Sequence, residues 1–315
     1  MRCLVAVIGP TAVGKTKLAI RLAQSFNGQI VNADSRQVYR FMDVGTAKPG
    51  IADRAIIPHH IIDIVNPDEP FSLALYKNLA NETIENIQLQ DKIPFLVGGS
   101  GLYVWSVVEG WTIPEVPPDI KFRQSMENLA REKGVAHLFE ELRKIDPIAA
   151  TKIMPTNLRR IIRALEIYQT TGCPPSQAWQ KKPPSFPTMV IGLTTERKAL
   201  YNMIDARVDE MIASGLVEEV KDLIAMGYGL NLPSMSGIGY RQIGMFLKDK
   251  MSLPDAVQQV KYATHQFARH QYAWFHLDNA RINWFDIYGN IQDKINNLVE
   301  TFLSNIRQVK RENGN

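Results

Sequence analysis

Cysteine is nearly absent: Cys3 and Cys173 are the only two in 315 residues, which excludes a disulfide scaffold and a four-cysteine zinc site. No apolar run approaches the ~20 residues needed to cross a bilayer, so no membrane span is expected. The apolar start, Leu4 to Ile8, reaches Gly9-Pro10 too soon for the core of a secretion signal and reads better as a buried strand. Neither sign of charge dominates. Lys plus Arg number 36 against 32 Asp plus Glu, a net +4, which permits an anionic partner without requiring one. Internal repeats and low-complexity tracts are also missing. With 45% hydrophobic and 22% charged residues, the chain has ordinary globular composition. At one domain per roughly 150 residues, about two domains are expected, in a soluble, cytoplasmic, enzyme-sized protein.

The first half alternates strand-like and helix-like segments. Cys3 to Ile8 is a continuous apolar run, and Leu18, Ala19, Leu22, Ala23 and Phe26 recur at helical spacing. Gly28 to Ala33, His60 to Val65 and Ile93 to Val97 read as further strands, with a helix from Ser72 to Gln88 between the last two. This alternation predicts an α/β fold: a doubly wound, mainly parallel sheet. The proline-rich stretches Pro114–Pro118 and Lys181–Pro187 bracket a stretch of helical pattern, with helix starts at Asp119, Asp146 and Thr156. The expected organisation is a first core part (1–116), an inserted all-helical domain (117–186) and a second, mostly helical core part (187–315). Met189 to Leu193 and Asn283 to Ile287 are the strands expected there, and the tail Lys310–Asn315 is expected to fray.

Gly9-Pro10-Thr11-Ala12-Val13-Gly14-Lys15-Thr16 fits G-x-x-x-x-G-K-[ST], and it stands between an apolar strand and an amphipathic helix. In that context backbone N–H groups and the helix N-terminus cradle a phosphate. Lys15 would add a point charge, and Thr16 a hydroxyl for Mg²⁺. A second strand ending in an acid, usual in phosphate-loop ATPases, is not evident. Ile93–Val97 runs into Gly98-Gly99, and Ile61-Ile62-Asp63 is short.

The second strand instead ends in Asn32-Ala33-Asp34-Ser35-Arg36-Gln37. Strand carboxyl ends border the ligand crevice in such sheets, so Asp34 would face the phosphate site as a base or a metal ligand. Alternatively, Asp34 or Ser35 merely caps a following turn.

Six segments in order, G-P-T-A-V-G-K-T, A-D-S-R-Q-V-Y-R, M-D-V-G-T-A-K-P, P-F-L-V-G-G-S-G-L-Y, R-A-L-E-I-Y and G-I-G-Y, closely resemble the tRNA dimethylallyltransferase family. The resemblance spans Leu4 to about Phe275. It implies that the loop holds the diphosphate of dimethylallyl diphosphate, whose prenyl group passes to the exocyclic amine of the adenosine 3′-adjacent to the anticodon. Asp34 then resembles the general base, and Ser35, Arg36 and Gln37 the residues that grip the target nucleotide. Ser100, where the family commonly has Thr, resembles a catalytic hydroxyl. Arg207 resembles the arginine that neutralises the departing diphosphate, although alone it reads as a surface helix charge. A monomer is expected, with Mg²⁺ as cofactor and the anticodon stem-loop of tRNA as partner.

Arg159, Arg160 and Arg163, together with Arg123, are the expected RNA contacts. Arg159 and Arg163 share a helix face while Ile161, Ile162 and Leu165 turn inward. Lys261, His265 and Arg269 repeat every four residues and could track phosphates. Asn157, Arg159, Gln242, His265 and His270 depart from the family pattern. His59-His60 point to opposite strand faces and cannot readily share an ion. The rival readings are a free-nucleotide prenyltransferase, a phosphate-loop kinase or ATPase, and an RNA-binding protein with a vestigial loop.

Overall fold

The computed structural model describes residues 2–312, with side chains described up to residue 309. The chain forms two compact units: one joins the segment up to Val108 to that from Ser185 onward, and the other is Glu109–Pro184.

The first unit opens with β1 (Leu4–Ile8), α1 (Lys15–Ser25), β2 (Gly28–Asn32), α2 (Ile51–Ile56), β3 (His59–His60), α3 (Leu73–Leu89), β4 (Ile93–Val97) and α4 (Gly101–Val108). Its six-stranded sheet has the order β3-β2-β4-β1, continued by β5 (Thr188–Thr194) and β6 (Ile282–Asp286), and every pair is parallel. Strands β1, β2 and β4 are buried at every position, as expected of a sheet covered on both faces. Val5 of β1 registers with Phe95 on one side and Met189 on the other. Because the strands run in one direction, the loops after β1, β2 and β4 emerge at the same sheet edge. That edge holds the phosphate loop, Asp34 and Ser100.

Helix α1 buries Leu18, Ala19, Leu22 and Ala23 against this sheet. Leu22 is fully buried, so Leu22→Ala would cost about 2–5 kcal/mol.

The second unit comprises α5 (Ile120–Lys133), α6 (Val135–Ile145), α7 (Pro147–Lys152), α8 (Leu158–Thr171) and α9 (Pro175–Ala178). Three of these helices start on side-chain caps. Asp119, Asp146 and Asn157 accept from the backbone N–H of Phe122, Ala149 and Arg160 at 3.0, 2.8 and 3.2 Å. The start expected at Thr156 therefore falls one residue later, on Asn157. The core holds Leu138, Leu142, Ile161, Ile162 and Leu165. The unit begins before the proline stretch because its two ends are zipped together. Lys182 N–H donates to Gly110 O at 3.0 Å and Thr112 N–H to Gln180 O at 2.7 Å, which places Pro114–Pro118 inside the unit rather than at the 117 boundary.

The chain then completes the first unit with β5, α10 (Arg197–Ala213), α11 (Leu216–Ala225), a 3₁₀ turn at Ser234–Ser236, α12 (Tyr240–Phe246), α13 (Leu253–Trp274), β6 and α14 (Ile291–Glu312). The strand expected over His60–Val65 is a correction: β3 stops at His60. Ile61 and Asp63 adopt left-handed backbone (φ 62° and 56°), which breaks the ladder and turns the Asp63 carboxylate onto Lys48 and Arg54, both at 2.6 Å. In the tail, α14 carries the backbone to Glu312. Residues 313–315, also expected to fray, lie outside the described residues.

Candidate functional site: a phosphate cradle facing a carboxylate

The phosphate loop turns out of β1 and delivers Lys15 as the first residue of α1. Gly14, just before it, has φ 80°, a left-handed conformation that disfavours side chains. Thr11, Ala12, Gly14, Lys15 and Thr16 line a cavity of about 900 Å³. Gly9, Pro10 and Val13 do not. Val13 packs into the hydrophobic core and Pro10 is buried, so their contribution to the cradle is the turn itself. Lys15 Nζ donates to Pro10 O at 2.6 Å. Burial pushes its ammonium down to about 7, helped by the nearby Arg207 charge and opposed by Asp34. An anion in the cradle would reverse that shift. Arg207 of α10 also has its pKa lowered by burial, with Asp34 and Glu210 pulling the other way. Its Nη1 donates to Thr11 Oγ1 at 3.4 Å. Two cations are thus held with little solvent beside a loop of N–H groups, an arrangement that favours a polyphosphate.

Asp34 lies across from them. Its Oδ1 accepts from Arg36 N–H at 2.8 Å, so the local-turn alternative is present. The second carboxylate oxygen has no protein partner among the described residues. Ser100 Oγ accepts from Ser35 N–H at 3.0 Å and donates to Ser35 Oγ at 3.3 Å. Arg36 Nη1 reaches the carbonyls of Pro233 and Ser234 at 3.0 and 3.2 Å. Gln37 gives its amide N–H groups to the carbonyls of Thr46 and Ala47 at 3.2 and 3.3 Å and lines the phosphate cavity.

A second cavity of about 280 Å³ is lined by Ser35, Arg36 and Ser100, and by the apolar Ile204, Val208 and Met211 of α10. Gln37 is not part of its wall. Thr11, Asp34, Arg207 and Phe267 line both cavities. The arrangement can hold a diphosphate on one side and a flat or apolar group on the other, with a carboxylate between them.

Two contributors carried no sequence signal that singled them out. Glu219 of α11 accepts from the N–H groups of Asp43, Val44 and Gly45 at 2.8, 2.6 and 3.0 Å and from Tyr240 Oη at 2.6 Å. It clamps the Met42–Lys48 loop behind the second cavity. Gln271 of α13 bonds Thr11 N–H and Gly99 O, at 2.8 and 2.9 Å. The motifs G-T-A-K and G-I-G-Y mark the partners of Glu219 but not Glu219 itself.

The chain resembles known proteins in both sequence and fold. The family model for IPP transferase matches residues 37–278, and that for isopentenyl transferase residues 2–54. The chain belongs to the IPP transferase family. It is 54% identical over 272 residues to a tRNA dimethylallyltransferase of Roseiflexus sp. (strain RS-1), covering 86% of this chain and 89% of that one. It is 44% identical to a tRNA dimethylallyltransferase of Dehalococcoides mccartyi, over 96% of this chain and 93% of the relative. Among solved structures, the full-length tRNA isopentenylpyrophosphate transferase of Bacillus halodurans superposes with TM-score 0.73 at 38% identity, covering 99% and 100% of the two chains. A eukaryotic dimethylallyltransferase described as acting on tRNA gives TM-score 0.82 at 28% identity, with 97% of this chain and 80% of that one covered. The chain is accordingly a prenyltransferase with the phosphate-loop α/β fold of that family.

Two of the departures from the family pattern, Asn157 and Gln242, have structural explanations. Asn157 caps α8. Gln242 is buried, and its Oε1 accepts from Gly239 N–H at 3.0 Å, so it keeps the acceptor that a Glu would offer. Arg159 and Arg160 are exposed. Arg123 and Arg163 are placed differently: both grip the buried Glu166, at 2.7 and 2.5 Å. These arginines and Asp119 N–H hold the Glu166 carboxyl down at about 2 against the desolvating effect of its burial. The basic stripe on α13 has partners on α10. Lys261 pairs with Asp209 at 2.7 Å, His265 Nε2 lies 2.8 Å from Asp205, and Arg269 donates to Tyr201 Oη at 3.4 Å. The stripe braces α13 against α10, so its charge is partly spent inside the fold. His270 is exposed.

His59 Nδ1 contacts Ile57 O and His60 Nε2 contacts Gln29 Oε1, both at 2.7 Å, so each serves a separate hydrogen bond. No group of three His, Cys, Asp or Glu side chains that could hold a metal occurs among the described residues. Thr16 Oγ1 has no protein partner among those residues, and the Asp34 carboxylate faces the same cavity. The Thr16 hydroxyl would suit Mg²⁺, whose remaining ligands would come from phosphate oxygens and water, which leaves the Asp34 carboxylate free. No helix among the described residues is long and apolar enough to cross a membrane.

Proposed function

We propose that this chain transfers the dimethylallyl group of dimethylallyl diphosphate to the exocyclic N6 amine of the adenosine 3′-adjacent to the anticodon of tRNA, acting as a cytoplasmic monomer. The observation that carries the reading is the convergence of Thr11, Asp34 and Arg207 where the two cavities meet. The phosphate loop takes the diphosphate, and the second cavity takes the adenine and the five-carbon chain between Ser35, Arg36, Ser100 and the apolar wall of α10. The adenine must leave its stack to reach such a pocket.

In the transfer, the amine nitrogen bonds to C1 of the prenyl group while the C1–O bond to the diphosphate breaks. The electron pair of that bond leaves with the diphosphate, and Lys15 and Arg207 stabilise the negative charge that builds there. Bound Mg²⁺, held by Thr16 and the diphosphate, would neutralise part of the same charge. The free oxygen of Asp34 takes the proton lost by the amine. Ser100 holds Ser35, and through it the Asp34 turn, in place. Exposed Arg159 and Arg160 contact tRNA phosphates.

The test offers radiolabelled dimethylallyl diphosphate and Mg²⁺ with unmodified tRNA and AMP as competing acceptors. Label in tRNA alone is the expected result. Label in AMP alone would move the protein to the free-nucleotide prenyltransferases, and no label in either would remove Asp34 as a base.

A further inference from the structure

Gln271 is 3% exposed and lines the phosphate cavity, yet its amide is committed to protein on both sides. Oε1 accepts from Thr11 N–H at 2.8 Å, and Nε2 donates to Gly99 O at 2.9 Å. The orientation is forced, because Thr11 offers only a donor and Gly99 only an acceptor. Gly99 is also packed against this amide: a Cβ at that position would collide with Gln271 Nε2. Each partner leads into one half of the site. Thr11 contacts Arg207 through its hydroxyl. Gly99 precedes Ser100, which holds Ser35 beside Asp34. A continuous chain of contacts therefore runs from Arg207 through Thr11, Gln271 and the Gly99-Ser100 turn to Asp34.

The helix carrying Gln271 is anchored on several sides. Trp105 Nε1 donates to Trp274 O at 2.9 Å, Tyr272 Oη pairs with Thr194 at 2.8 Å, and Lys261 pairs with Asp209. With its helix tied at these points, the Gln271 amide spans Thr11 and Gly99 as a spacer.

We propose that Gln271 is a positioning residue for the reaction, setting the distance between the diphosphate cradle and the carboxylate that receives the amine proton. The inference rests on the prenyl-transfer reading above. Effective in-line reaction needs the reacting atoms at about 3–3.5 Å, and misplacement by about 1 Å is worth about a hundredfold in rate. A loosened spacer should therefore slow transfer while leaving each half able to bind its own ligand. It should also let water compete. Water attacking C1 of the donor, with loss of its proton to solvent, breaks the same C–O bond and releases dimethylallyl alcohol and diphosphate.

The test compares Gln271→Met, which keeps the shape but loses both hydrogen bonds, with Gly99→Ala, which pushes the amide away from the other side. For each full-length variant four quantities are read: kcat for tRNA prenylation, Kd for inorganic pyrophosphate by calorimetry, the ratio of dimethylallyl alcohol to prenylated tRNA, and the melting temperature. Expected for both single variants are a kcat reduced ten- to hundredfold, a pyrophosphate Kd within threefold of the unmodified protein, and an alcohol-to-tRNA ratio raised at least fivefold. The double variant should be no worse than the worse single one, since both act on one contact. An unchanged product ratio, or a loss of pyrophosphate binding in step with kcat and melting temperature, would make Gln271 a packing residue and overturn the proposal. Failure of the unmodified protein to prenylate tRNA would refute the parent reading instead, and it would show in the control before any variant is compared.

Discussion

Lys15→Met should make the ligand-free protein more stable while destroying its grip on diphosphate. Burial pushes the Lys15 ammonium down to about 7, against about 10.4 for an unfolded lysine. Folding a charged lysine into that place costs roughly 4 kcal/mol at pH 7.5 by proton linkage. The side chain is still partly open to the cavity, and solvent screening reduces the figure to roughly 2 kcal/mol. Removing the ammonium also strips Pro10 O of its donor, a loss of about 1 kcal/mol. The balance is a gain of roughly 1 kcal/mol, or about 2–4 °C in melting temperature for a chain of this size. The sign with pH follows from the lowered folded-state pKa. The penalty is full below about 7 and fades as pH rises toward the unfolded value; halved to roughly 1 kcal/mol by pH 9, it only offsets the lost Pro10 contact, so the advantage of the variant should vanish there. Pyrophosphate binding returns the unmodified lysine to its charged form. At a hundredfold excess over Kd it should add about 2.7 kcal/mol to the unmodified protein and far less to the variant. The assay is thermal unfolding at two pH values with and without pyrophosphate. A variant that melts lower than the unmodified protein at pH 7.5 and still responds fully to pyrophosphate would refute the reasoning.

Asp34→Ala should abolish tRNA prenylation while tRNA Kd stays within about threefold, since a lone base contributes about 10²–10⁴ in rate; filter binding beside a turnover assay checks this, and lost binding would make Asp34 a scaffold residue. Arg159→Ala and Arg160→Ala should each lower tRNA affinity and reduce the slope of log Kd against log salt by about 1, whereas an unchanged slope would exclude a phosphate contact. Glu166→Gln should destabilise the unit Glu109–Pro184 by about 2 kcal/mol, because Arg123 and Arg163 lose their shared anion. The Glu166 carboxyl sits at about 2 in the folded chain, below its unfolded value, so its stabilisation is complete above about pH 5 and is lost as pH falls toward 2; a melting-temperature difference from Glu166→Gln that persists at pH 2 would contradict that assignment.

Much of the site was legible because its parts are contiguous. A strand, a glycine turn and a helix within Leu4–Ser25 suffice to define the phosphate cradle, and every residue of that argument lies within one structural unit of chain. Asp34 was legible for a related reason: the end of a buried parallel strand has one place to go. The strand expected over His60–Val65 failed because hydrophobic pattern carries no information about Lys48 and Arg54, which pair with Asp63 where the backbone turns left-handed. The partners of the basic stripe on α13 were hidden for the same reason. Spacing shows that Lys261, His265 and Arg269 share a face, but not that Asp209, Asp205 and Tyr201 wait opposite them on α10.

What the amino-acid order determined by itself was the phosphate-loop turn and the sheet that presents it, because local hydrogen bonding and burial periodicity dictate both. What only the tertiary structure decided was which distant groups complete the site. Gln271 meets Thr11 across 260 residues, and Glu219 closes on a loop 174 to 176 residues before it. A side-chain amide or carboxylate carries no mark of its partner. Its role is set when the parallel sheet gathers strand ends from remote parts of the chain onto one edge, where the unpaired backbone groups of the loops must find donors and acceptors or bear the cost of burial without them.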